Sequence, residues 1–133
     1  MEIDQNLSNS DYCKSLLYLS YSVIRSDGLV QIEESMALNE LCQNEKISLE
    51  ERDQFHNEIE DLEANQIFNI GLECLKKCSD EDQGKVLGWI YRLVEADDSI
   101  DVREARFLLY AVNASPLEIE DVIKISRKLP NLS

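Results

Sequence analysis

A chain of 133 residues with 44% hydrophobic and 30% charged residues, four Gly and two Pro has the composition of one globular domain, which excludes collagenous, disordered and low-complexity classes. Thirteen Lys and Arg stand against 27 Asp and Glu, and the resulting net charge of −14 repels phosphate backbones and anionic lipid, so nucleic-acid binding is not expected. The same field attracts cations and basic protein surfaces, and it also serves solubility alone.

The first segment, MEIDQNLSNSDY, lacks the positive and apolar regions of a secretory leader. No apolar run approaches the roughly 20 residues that cross a bilayer, so a cytoplasmic chain without direct membrane insertion is expected. Residues 11–25 place Leu16, Leu17, Ser20, Val23 and Ile24 on one helical face, and Asp27-Gly28 stops that helix. A second helix runs from Glu33 to Cys42 through Met36, Ala37, Leu38 and Leu41. Ser48 with Glu51 reads as a capping box, with Ile47 as the outer half of a hydrophobic staple, and opens a third helix to about Leu62.

Ile67, Ile70, Gly71, Cys74 and Leu75 give a fourth helix, with Lys76 and Lys77 at the end where positive charge suits the dipole. Ser79-Asp80 starts a fifth, which reaches about Glu95 and buries Val86, Trp89, Ile90, Leu93 and Val94. Asp101 caps a sixth, with Ala105, Leu108, Leu109 and Val112 inside. Ser115-Pro116-Leu117-Glu118 caps a seventh, with proline in the first turn. The expected fold is all-α, a single domain over 1–133 with seven helices and no period-two strand. Cys13, Cys42, Cys74 and Cys78 form no CxxC pair and read as small packing residues.

A shift of 70 residues aligns 12–42 with 82–112 without a gap. Tyr21 meets Tyr91, Asp27 meets Asp97, Glu34 meets Glu104, Leu38 meets Leu108, and Val30 meets Ile100. The shared apolar phase predicts two helix-turn-helix hairpins packed pseudo-symmetrically.

Each hairpin turns through D-[GD]-x-[VI]-x-x-x-E. Asp27, Gly28, Val30 and Glu34 match the later half of a calcium-binding EF-hand loop, but its first and third positions fall on Val23 and Arg25, and in the second copy on Leu93 and Glu95. An ordinary EF-hand is therefore excluded. Two readings remain. Gln31 and Asp101 as N-caps would put Glu34 and Glu104 at N3 of capping boxes, which accounts for the motif structurally. Alternatively Asp27, Glu34, Asp97, Asp98 and Glu104, with Asp101, would supply a hard-oxygen site for a divalent cation, with Mg²⁺, Ca²⁺, Mn²⁺ and Zn²⁺ as the candidate ions.

The chain resembles the TerB-like family of tellurite-resistance proteins through Ser26-Asp27-Gly28-Leu29-Val30 with Glu34 and Ala96-Asp97-Asp98-Ser99-Ile100 with Glu104. The resemblance spans about residues 12–127. It departs from the family's pattern at Ser26, where that pattern has alanine, and at Asp98, where it has glycine. It implies a non-enzymatic bacterial domain linked to metal stress, acting beside membrane-associated or chaperone-related protein partners. The residues themselves offer no nucleophile motif, phosphate loop or HExxH. His56 stands alone as a helical histidine, and Glu58, Glu60, Asp61 and Glu63 read as a solvated face. The rival to an interaction module is a metal-dependent hydrolase built on the carboxylates of the two turns.

Overall fold

The computed structural model of the chain describes the backbone of residues 2–25, 32–95 and 102–130, and side chains over 11–25, 35–95 and 105–130. Among these, seven helices and no strand occur: α1 (Glu2–Ile24), α2 (Ile32–Asn44), α3 (Leu49–Ile59), α4 (Ala64–Lys76), α5 (Asp80–Glu95), α6 (Val102–Asn113) and α7 (Ile119–Ser126). The all-α expectation holds; α2 and α6 begin 70 residues apart, at Ile32 and Val102, while α1 (from Glu2) and α5 (from Asp80) do not share that offset.

Local chemistry accounts for most boundaries. The Ser48 hydroxyl accepts from the Glu51 N–H at 3.1 Å, and Glu51 Oε1 accepts from the Ser48 N–H at 3.4 Å, the expected box at the start of α3. Ser79 Oγ accepts from the Asp82 N–H at 3.2 Å and opens α5. At α7 the reading is corrected. Its N-cap is Glu118, whose N–H is accepted by Asp121 at 3.1 Å, while Ser115 donates to the Val112 carbonyl at 2.7 Å and closes α6 instead. Helix α1 also starts at Glu2 rather than near residue 11, because no Gly or Pro precedes Gly28 to interrupt it. Helix α3 stops at Ile59, short of Leu62.

Helix α1 is the axis of the bundle, with α4, α5 and α6 against it. Gly71 allows α4 to come close to α1: a Cβ there would lie 2.8 Å from Leu19 Cγ, so α4 nearly touches the α1 side chains. Helix α5 in turn carries α7, with Gly88 facing Ile125 and Leu129. Leu16, Leu19, Val86, Leu87 and Ile90 are fully buried, and each such side chain stabilises the fold by about 1.5–3 kcal/mol. Two of the three buried α1 serines satisfy themselves on the helix, Ser15 donating to the Tyr12 carbonyl at 2.9 Å and Ser22 to the Tyr18 carbonyl at 2.8 Å, whereas the buried Ser20 hydroxyl has no partner among the described residues.

Two residues of the predicted apolar stripes lie outside the core, Met36 of α2, 56% exposed, and Leu109 of α6. Leu109 is 46% exposed, because the buried face of α6 is Leu108, Ala111 and Val112, and one further residue turns about 100° away from it. No helix among the described residues is long and apolar enough to cross a membrane.

Candidate functional site

Of the predicted carboxylates, Asp27, Asp97 and Asp98 lie outside the described residues, as do the caps Gln31 and Asp101. Glu34 sits in α2 and Glu104 in α6, and their side chains also lie outside the described set. The flanks of both turns are described. Val23 and Leu93, which an EF-hand would need as ligand positions, are helical core residues, 2% and 1% exposed. Their apolar side chains pack inward where calcium would require oxygen. Among the described residues, no three His, Cys, Asp or Glu side chains gather as a metal site.

Two clefts adjoin at the end of α1. One, of about 260 Å³, is lined by Tyr21, Ser22 and Arg25 of α1, by Leu62, by Ala64 and Ile67 of α4, and by Phe107 of α6. The second, of about 290 Å³, is lined by Phe68, Asn69, Arg106, Phe107 and Tyr110. Phe107 belongs to both. Its ring packs edge-on against Phe68 with centroids 4.8 Å apart, and Tyr110, 63% exposed, meets Phe68 at 5.6 Å. At the inner end, Arg25 donates a hydrogen bond to the Tyr21 hydroxyl and stacks over its ring at 5.2 Å. Tyr21 is itself held edge-on by Phe55 at 5.5 Å, so an exposed guanidinium is anchored through aromatics to the core.

The middle of α1 carries a second cluster, centred on Glu45 just beyond α2. Tyr12 donates to Glu45 Oε1 at 2.8 Å and the Trp89 indole donates to Oε2 at 2.8 Å, while Lys85 lies 3.2 Å from Oε2. Burial first, and then the Glu45 hydrogen bond, pushes the Tyr12 phenol well above its ordinary value. Every donor here is matched to one carboxylate, so the cluster ties α1, α2 and α5 together.

Cys42 and Cys74 are buried, Cys13 and Cys78 half-buried, and all four are free. Burial raises each thiol, Cys13 to about 12 with Glu51 adding to the effect, so none has the lowered pKa of a nucleophile. His56 is exposed and lies beside Tyr21 and Phe55, 6.2 and 5.3 Å between centroids.

Neither protein-family models, curated proteins nor solved structures give a match to this chain.

The aromatic groove and the Glu45 cluster are the arrangements that sequence reasoning missed. Phe68, Phe107 and Tyr110 flank the apolar stripes of α4 and α6, and aromatics at the edge of a stripe were the available signal. Glu45 carried none, since its partners are 33 and 44 residues away. Within the predicted charge run, Glu58 also has a structural partner, accepting from the Tyr18 hydroxyl at 2.8 Å.

Proposed function

We propose that this chain is a non-enzymatic cytoplasmic interaction module of the TerB-like kind, serving a metal-stress response such as tellurite resistance. Its two acidic turns engage a basic surface on a protein partner, with or without a divalent ion. The observation that supports this reading is that Arg25, the last described residue before the first turn, and Phe107, in the helix after the second, line one cleft. Phe107 lies five residues past Val102, a rise of about 7.5 Å along the helix, so the end of α1 and the first turns of α6 face one cleft. In a chain of net charge −14, carboxylates from two such turns form a surface that attracts Lys and Arg and speeds encounter at low salt.

Two measurements test it. Calorimetric titration with Mg²⁺, Ca²⁺, Mn²⁺ and Zn²⁺ should give saturable binding that Asp27→Ala with Asp97→Ala abolishes; absence of any saturable heat removes the ion from the proposal. Capture of a protein partner should be lost when Asp27, Asp97 and Asp98 are changed to Asn, and should weaken from 50 to 300 mM salt, concentrations chosen to shorten the roughly 10 Å screening length. A partner retained by the neutral variant would sink the interaction reading.

A further inference from the structure

We infer that the groove shared by the two clefts around Phe107 binds an amphiphilic aliphatic carboxylate. Its walls are apolar, from Leu62 and Ile67 through Phe68 and Phe107 to Tyr110. Its charged liners among the described residues are two arginines, Arg25 in one cleft and Arg106 in the other. That sign runs against a chain of net charge −14. The ion pairs described elsewhere are Lys85 with Glu45 and Arg92 with Glu95, and no described carboxylate pairs with Arg25 or Arg106.

The Tyr21 hydroxyl and ring already hold the Arg25 guanidinium. Less side-chain freedom is then lost on binding, and the planar fork suits two carboxylate oxygens. The two clefts, of about 260 and 290 Å³, share Phe107 as a lining residue, and each lies just under the roughly 300 Å³ at which small-ligand sites begin. The aliphatic tail lies along the aromatic wall and the carboxylate meets an arginine. This inference shares its cleft with the proposed function but does not rest on it, because its ligand meets the arginines of the groove and not the carboxylates of the turns.

The experiment titrates the full chain with decanoate and, separately, with decyltrimethylammonium, both below micelle formation, followed by amide NMR. The whole-protein field favours the cation, whereas the groove favours the anion, so the sign of the preference separates the two. Expected are saturable decanoate shifts at Arg25, Ile67, Phe107 and Tyr110, and weaker binding of the cation. Arg25→Gln should weaken decanoate by about fivefold and Arg25→Lys by less, with far-UV circular dichroism unchanged. The inference is overturned if the cation binds as well as the anion or if the decanoate shifts lie elsewhere. It also fails if the R25Q/R106Q double variant binds like the parent, or if phosphatidylglycerol vesicles bind where free decanoate does not. None of these outcomes bears on partner capture by Asp27 and Asp97.

Discussion

Trp89 is 1% exposed, yet its indole N–H reaches Glu45 Oε2 at 2.8 Å, so the largest core side chain is fastened to a carboxylate 44 residues earlier. Glu45 keeps only 10% of its side-chain surface and accepts from Tyr12 and Trp89 at once. Removing it leaves two donors without their acceptor, while Lys85, 45% exposed, regains water. Glu45→Ala should lower unfolding free energy by about 2–4 kcal/mol, and Glu45→Gln, which keeps one acceptor, by about 1 kcal/mol. Urea midpoints at unchanged m-value measure this; an alanine variant as stable as the parent would show that the cluster contributes nothing.

Gly71 and Gly84 should respond differently to alanine. At Gly71 the new Cβ meets Leu19 Cγ and Cδ2 at 2.8 Å and Tyr18 Cβ at 3.1 Å, atoms close to the α1 backbone that yield only if the helices separate. Gly71→Ala should destabilise by about 1–3 kcal/mol. At Gly84 the closest atom is Ile125 Cδ1 at 2.6 Å, the tip of a side chain that can change rotamer. The helix-propensity gain of about 1 kcal/mol then offsets the contact, and Gly84→Ala should be near neutral. Thermal midpoints of the pair decide it.

Phe55 is 4% exposed and packs edge-on to Tyr18 at 5.0 Å and Tyr21 at 5.5 Å. Phe55→Ala should cost about 3–5 kcal/mol through the cavity and lost ring contacts. It should also loosen Tyr21 and hence Arg25, so amide shifts should spread along the end of α1. Shifts confined to α3 would show that Tyr21 is held by other contacts.

Stability should fall as pH rises above about 9. The Cys13 thiol, with an ordinary value of 9.0, is pushed up to about 12 by burial, then by Glu51, Glu45 and Cys42. Above 9 the unfolded chain releases this proton first, so the folded state's advantage is complete below that value and is lost toward pH 12. Tyr12 and Tyr18 shift in the same direction, by burial and by their hydrogen bonds to Glu45 and Glu58. Urea midpoints between pH 8 and 11, in the parent and in Cys13→Ser, should show a shallower decline in the variant. Iodoacetamide at pH 8 should label the native thiols far more slowly than the unfolded ones.

The helices were legible because their signals are local. Periodicity placed Leu16, Val23, Ile90 and Leu93 in the core, and the capping chemistry of Ser48 and Ser79 set two helix starts. It failed at Met36 and Leu109, apolar side chains at the edge of their stripes that stay 56% and 46% exposed.

Sequence alone determined an all-α chain, its helix phases and the 70-residue spacing of its two turns, since hydrogen bonds within a helix and the 3.6-residue repeat depend only on neighbours along the chain. Tertiary structure decided that Phe107 of α6 and Arg25 of α1 line one cleft, and that Tyr12, Lys85 and Trp89 converge on Glu45. Those meetings depend on how side chains of distant segments fill space around α1, and no periodicity along the sequence encodes which edges of two helices face each other.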